Sequence, residues 1–250
     1  MRYFVAFSYF GQAYHGWQRQ PNALTVQQLM EESFSTLLKT DISLVAAGRT
    51  DAGVHAKNMY AHFDFSKNLD LADLTYRLNA FLPEDIAVQK VFAVPADAHA
   101  RFDALERTYE YWIVQKKNPF YKDRAHYIKH PLDISSMNIA AGILLEYEDF
   151  ECFSKSNTDV KTYLCKIKSA AWKTKEDKLV FTITADRFLR NMVRAIVGTL
   201  LDVGLEKMTP EDVKTIIKSR DRGTAGASVP AKGLYLTKVS YPSTILEFNG

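Results

Sequence analysis

The stretch of this chain best equipped for chemistry is Gly48-Arg49-Thr50-Asp51-Ala52-Gly53-Val54-His55-Ala56. It places a carboxylate, Asp51, two residues from a guanidinium, Arg49, on a short polar turn carrying Gly48 and Gly53. An apolar run, Ile42 to Ala47, leads in, and an alternating run, Met59 to Phe65, leads out, so the turn is expected between two strands. Loops held by rigid elements often carry binding and catalytic groups. An ionised carboxylate there can serve as nucleophile or base. The plainer reading is a hairpin turn in which Asp51 only caps backbone N–H groups. Local pattern leaves both open.

Other side chains compete less well. His15, in Tyr14-His15-Gly16-Trp17-Gln18-Arg19-Gln20-Pro21-Asn22, is favoured as a packing or hydrogen-bonding residue of a loop. His55 and His62 suggest a metal pair, but no third ligand stands at a recognisable spacing, so no metal is expected. Cys152 and Cys165, the only two cysteines, fit neither a zinc motif nor a disulfide framework. Arg187, Arg190 and Arg194 are spaced i, i+3 and i+7 near the start of a predicted helix over 188–203. On one face beside the positive end of a helix they would repel one another unless an anion is near, which favours phosphate contact over a solvated face. In the predicted loop 118–131, Lys122, Arg124 and Lys129 alternate with aromatics. That suits stacking on nucleotides and pairing with phosphates, or equally a solvated loop with its rings tucked in.

Several elements must position these groups. Arg2 to Tyr9 alternates aromatic and small residues and reads as a strand. Thr25-Val26-Gln27-Gln28 matches a capping box, with Val26, Leu29, Met30, Phe34, Leu37 and Leu38 at helical spacing after it. Strands over 42–47 and 59–65 flank the Asp51 turn. A helix over 71–81 buries Leu71, Leu74, Leu78 and Phe81 and stops before Pro83, and Ile86 to Val94 is a further strand. Strand, helix, strand, strand, helix, strand is the split βαβ, or ferredoxin-like, order. A polar, turn-rich stretch over 95–104 divides the chain into an N-terminal α/β domain, residues 1–104, and a C-terminal one, residues 105–250. The second half starts on a strand over 107–115, with Tyr109 on the face of Arg107, Tyr111 and Ile113. A helix over 135–146 and strands over 163–172 and 179–185 precede the arginine-bearing helix. Thr209-Pro210 starts another helix, and Gly233-Leu234-Tyr235-Leu236 opens a last strand.

Composition narrows the class. The chain has 250 residues, 47% hydrophobic and 24% charged, an ordinary globular balance that argues against disorder, and no window holds the long uncharged apolar run a membrane helix needs. Without a signal-peptide pattern at its start, it is expected to be cytoplasmic. The net charge is only +3, but it is unevenly spread. Residues 1–100 carry 8 Lys and Arg against 10 Asp and Glu, and residues 101–250 carry 24 against 19. The basic second half permits a phosphate-facing surface.

The Asp51 loop closely resembles the active-site motif of the TruA family of tRNA pseudouridine synthases. The resemblance spans nearly the whole chain. It includes Tyr14 to Pro21, Leu78 to Ile86, His99 to Ala104 with Arg107-Thr108-Tyr109, Phe188 to Arg194, Ile196 to Leu200, and Ala231 to Leu236. The chain departs from the family pattern at Phe10, where Asp is usual, at Glu146, Tyr147 and Glu148, and near Cys165, where an arginine is common. The resemblance implies an α+β pseudouridine synthase fold, with two ferredoxin-like α/β domains whose mainly antiparallel sheets flank a basic RNA-binding cleft. It implies isomerisation of uridine to pseudouridine at positions 38, 39 and 40 in the anticodon stem-loop of tRNA, by a homodimer that needs no cofactor and no metal. It makes Asp51 the catalytic nucleophile or base, with Arg49 holding it ionised and oriented through a charge-assisted hydrogen bond. It makes Tyr109 the platform for the target base, Leu234 an apolar pocket residue, and Arg187, Arg190 and Arg194 candidate phosphate contacts. A non-catalytic RNA-binding protein of the same ancestry would be expected to have lost Arg49, Asp51 or Tyr109, all of which are present. An Asp-nucleophile hydrolase of small molecules would show a phosphate- or metal-binding loop, and none is visible.

Overall fold

In a computed structural model, which describes residues 1–155 and 160–247, the chain divides into two compact units. Residues 1–106 and the segment from Leu236 onward form the first, and Arg107–Tyr235 the second.

In the first unit β1 (Arg2–Tyr9), α1 (Val26–Leu38), β2 (Val45–Ala46), β3 (His55–Asp64), α2 (Leu71–Phe81) and β4 (Ile86–Val94) follow in order. β1 pairs antiparallel with both β3 and β4, and β2 pairs antiparallel with β3. The order β4-β1-β3-β2 is the ferredoxin-like arrangement the sequence predicts. β1 is central, and Tyr3, Phe4, Val5, Ala6 and Phe7 are all buried because both faces are covered. Register puts Tyr3, Val5 and Phe7 beside Phe63, Ala61 and Met59. Phe34 of α1 packs on Phe63 with ring centroids 4.9 Å apart. Truncating so buried an aromatic costs about 3–5 kcal/mol. On the opposite face Phe4 meets Tyr241 at 5.4 Å, and Tyr241 also meets Tyr60 at 5.2 Å.

Tyr241 explains why the chain returns to this unit. Its hydroxyl donates to the Ala100 carbonyl, and the Val239 N–H donates to Asn58 Oδ1. The end of the chain, expected with residues 105–250, therefore closes the exposed face of the first sheet.

Local differences have local causes. The strand expected over 42–47 shortens to Val45–Ala46 because α1 side chains satisfy the preceding backbone. Glu31 Oε1 accepts the Leu44 N–H, Gln27 Nε2 donates to the Leu44 carbonyl, and Ser35 Oγ accepts the Ile42 N–H. Thr25 caps α1 by accepting the Gln28 N–H, but Gln28 Nε2 turns to Glu32 and leaves the reciprocal half of the capping box unmade. In α2 Leu74 and Leu78 are buried, whereas Phe81 is 53% exposed.

His62 gives this unit a pH dependence. It is buried under His99, its Nδ1 accepts the Ala100 N–H, and burial together with Arg2 and His99 pushes it down to about 4, against the opposing pull of Asp64 and Asp103. An imidazole held neutral in the fold but not in the unfolded chain contributes stability in full above its unfolded value near 6.5. That contribution is lost as pH falls from there toward about 4. Urea unfolding at stepped pH should show the folded state weakening between pH 6.5 and 5, where most carboxylates stay ionised. His62→Gln should flatten that slope; an unchanged slope would mean that His62 titrates normally.

The second unit contains most of β5 (Glu106–Val114), β6 (His126–Tyr127), α3 (Ile134–Ile143), β7 (Ile167–Lys175), β8 (Lys178–Ala185), α4 (Met192–Gly204), α5 (Asp212–Ser219) and the start of β9 (Leu234–Ser240). A short α6 (Ser243–Leu246) follows in the first unit. β8 pairs antiparallel with β5 and β7. The predicted loop 118–131 contains β6, parallel to β5, and a 3-10 turn over Pro119–Tyr121. β7 starts at Ile167 rather than 163, since Leu164 only bridges to Asp149. Tyr111, Ile113, Phe181, Ile183, Met192, Ile196 and Leu200 form the core. Gly233 is there because the Tyr111 ring lies against it: a Cβ would sit 2.7 Å from Tyr111 Cζ and 3.0 Å from the Trp112 carbonyl oxygen. Among the described residues no helix is long and apolar enough to cross a membrane.

Candidate active site

The turn carrying Asp51 is pinned through its backbone by the end of β1 and the segment after it. Thr50 O accepts the Trp17 N–H at 3.3 Å, Tyr14 O accepts the Gly53 N–H at 3.1 Å, and Asp51 O accepts the Val54 N–H at 3.2 Å. Tyr9 Oη and Thr50 Oγ1 lie 2.8 Å apart. Gly16, at φ +86°, passes so close that a Cβ would sit 2.3 Å from Thr50 O. Beneath this clamp the Tyr14 hydroxyl donates to Asp85 in a short hydrogen bond. The motif Tyr14-His15-Gly16-Trp17 is thus a brace for the turn, and His15 is exposed at its edge.

His55 is the first residue of β3, so the turn ends two residues earlier than the motif. It is buried, and its Nδ1 accepts the Gly11 N–H at 2.9 Å. Phe10 stacks on its ring, centroids 4.2 Å apart and planes within 14°. The departure at Phe10 therefore gives His55 an apolar cover. Because His55 and His62 each accept a backbone N–H, both rings are engaged in holding the fold.

Asp51 is half-buried and Arg49 is exposed. Among the described residues no ion pair joins the two, and the charge-assisted bond expected within the turn is not made. Two residues apart on an irregular turn, the pair need not face each other. Arg49 is exposed, and the backbone bonds described above fix the turn that carries Asp51.

In the second unit Tyr109 is half-buried on β5, opposite Ile183 of β8. Phe188 meets it edge-on, centroids 5.2 Å apart at 90°. Sequence periodicity assigns Phe188 to the apolar side of a helix. In fact α4 begins only at Met192, after Asn191 in a left-handed conformation at φ +66°. Phe188, Leu189 and Met192 mimic helical spacing across a turn, so the period misleads. The only available signal was Asn191, a residue type that tolerates that conformation.

The same turn undoes the arginine alignment. Only Arg194 lies on α4; it is half-buried, with its Nε donating to the Val229 carbonyl at 2.8 Å. Arg187 is half-buried beside Asp186, and Arg190 is exposed, its carbonyl accepting the Lys155 N–H. The three do not form one helical face. Leu234 is buried at the start of β9, preceded by Pro230, whose carbonyl accepts the Tyr111 hydroxyl. Next to it Tyr235 stacks on Trp112 at 4.1 Å.

Burial pushes the thiols of Cys152 and Cys165 up to about 12, so they pack as small apolar groups. At the departure near Glu148, its carbonyl accepts the Cys165 N–H. No group of His, Cys, Asp and Glu that could hold a metal ion is found among the described residues.

Comparison with known proteins gives this geometry its context. A family model described as tRNA pseudouridine synthase matches residues 5–103 and 143–242. The tRNA pseudouridine synthase A of Bacteroides fragilis is 51% identical over 249 residues, covering 98% of this chain and 98% of that protein. The protein of that name from Parabacteroides distasonis is 50% identical over 245 residues, 98% of this chain and 97% of its own. The one from Bacillus subtilis is 38% identical over 245 residues, 96% and 99%. The first matched stretch contains the Asp51 turn with its whole brace, the second contains Arg187, Arg190, Arg194 and Leu234, and Tyr109 lies between them. A carboxylate turn built this way, inside a match spanning most of both units, places the chain in the tRNA pseudouridine synthase family.

Proposed function

We propose that this chain isomerises uridine to pseudouridine at positions 38, 39 and 40 of the tRNA anticodon stem-loop, working in the cytoplasm as a homodimer. The supporting observation is Asp51, half-buried on a turn whose neighbours are fixed by backbone hydrogen bonds. In the reaction the N1–C1′ bond breaks, the uracil turns, and a C5–C1′ bond forms. C5 gives up its proton and N1 takes one, so atoms and electrons balance without a redox partner or donated group. Asp51 acts on the sugar, either attacking C1′ or removing the 2′ proton.

Bringing a base out of its stack costs roughly a few kcal/mol. Tyr109 is assigned to receive it, and stacking returns about 1–3 kcal/mol per base. Phe188 packs edge-on against the Tyr109 ring. Leu234 is assigned to the apolar wall of the base pocket. Arg49 and Arg190, exposed guanidiniums, are assigned to phosphates; Arg187 and Arg194, half-buried, serve there to a lesser extent.

The direct test incubates purified protein with unmodified tRNA and maps pseudouridine along it. New pseudouridine confined to positions 38, 39 and 40 is the expected result, and modification elsewhere or none at all would reject the reading. Arg190→Ala should weaken tRNA affinity and reduce the steepness of its salt dependence by about one phosphate contact. An unchanged slope would return Arg190 to the solvated surface.

A further inference from the structure

Phe120 is 82% exposed. A single exposed aromatic is ordinary on a protein surface, but this one is presented by a rigid support. Asn118 Oδ1 accepts the Phe120 N–H, and the Tyr121 and Lys122 N–H groups close turns onto Asn118 and Pro119. Tyr121 anchors the turn from beneath: its hydroxyl donates to Asp177 at 2.8 Å and accepts from Lys178 at 3.0 Å. Further along, Tyr235 donates to the Arg124 carbonyl and Lys232 to the Lys122 carbonyl. A turn fixed at so many points has already lost the backbone freedom that binding would otherwise remove.

The turn is also strongly basic. Residues 115–130 contain Lys116, Lys117, Lys122, Arg124 and Lys129 against a single acid, Asp123. Lys116, Lys117, Lys122 and Lys129 are exposed, and among the described residues none makes an ion pair. Uncompensated like charges around a rigid aromatic suit a polyanion with flat rings.

We propose that residues 115–130 form a second RNA-binding surface, with Phe120 stacking on a base and Lys116, Lys117 and Lys122 sitting on phosphates. This rests on the reading that the substrate is tRNA. Position along β5 indicates which part of it is held. From Tyr109 to Val114 the strand advances about 17 Å, several nucleotide steps along a nucleic-acid strand. The surface therefore holds tRNA outside the loop that carries the reacting base. It selects for a complete tRNA over an isolated anticodon hairpin.

The test compares full-length tRNA with a synthetic anticodon stem-loop of the same sequence, measuring affinity and turnover separately. The proteins are the wild type, Phe120→Ala and the combined Lys116→Ala, Lys117→Ala, Lys122→Ala variant, each checked for an unchanged melting temperature. Phe120→Ala should weaken binding of full-length tRNA about tenfold with kcat unchanged. The lysine variant should reduce the salt slope by about two to three. Neither should alter binding of the stem-loop. Unchanged affinity for full-length tRNA would overturn the proposal, and so would an equal loss on both RNAs. A wild type that binds tRNA without modifying it would defeat the catalytic reading alone, since the affinity comparison still reads this surface.

Discussion

Asp51→Asn should bind tRNA with near wild-type affinity and form no detectable pseudouridine. The amide has almost the shape of the carboxylate, and the turn around it is held by main-chain groups: Asp51 O to Val54, Thr50 O to Trp17, and Gly53 N–H to Tyr14. The fold therefore has no backbone reason to change. What the substitution removes is the negative charge, and with it the ability to attack C1′ or to take a proton. Losses from removing such a group reach about 10⁴-fold or more in kcat. Single-turnover assays with enzyme in excess, read alongside a filter-binding curve, separate chemistry from affinity. Residual turnover within tenfold of wild type would remove Asp51 from the chemical step, and a parallel loss of affinity would recast it as a binding residue.

Gly16→Ala should also damage catalysis, although residue 16 contributes no reactive group. The backbone there is at φ +86°, and a Cβ would fall 2.3 Å from Thr50 O. That oxygen is main chain, one residue before Asp51, so the contact cannot be relieved by turning a side chain. Left-handed backbone at a residue with a Cβ costs roughly 1–2 kcal/mol, and the clash moves the turn as well. A displacement of about 1 Å at a reacting group can cost about 10²-fold. The expected result is a kcat about 10²-fold lower, with affinity for tRNA close to normal and a modest fall in the urea midpoint. Wild-type kcat in Gly16→Ala would show that the brace does not set the position of Asp51. A complete loss of folding would be distinguished by circular dichroism, and Tyr9→Phe, which removes the 2.8 Å hydroxyl contact to Thr50, would then test the brace more gently.

These two substitutions touch the same turn from different sides, and the difference between them bears on how much was legible in the chain. Asp51 was legible because a carboxylate between glycines and strands is a local pattern, and because the same residues resemble a known family over a long span. The brace was legible only as a motif. Tyr14 to Pro21 was recognisable, but nothing in its composition indicates that Gly16 passes beneath Thr50.

What the sequence determined by itself were the elements specified by local periodicity and caps. β1, α2 and β4 run over the residues that alternation, helical spacing and Pro83 indicate, because each depends on neighbours a few positions away. The tertiary structure decided whatever depends on a distant partner. β2 is short because Glu31, Gln27 and Ser35 reach over from α1 and take its backbone bonds. α4 begins at Met192 because Asn191 adopts a left-handed turn that the apolar period cannot register, which separates Arg187 and Arg190 from Arg194 and brings Phe188 to Tyr109. The chain end joins the first unit because Tyr241 finds Phe4, Tyr60 and Ala100 there. Periodicity reports which side of an element is apolar; it carries no information about which surface, far along the chain, will cover that side.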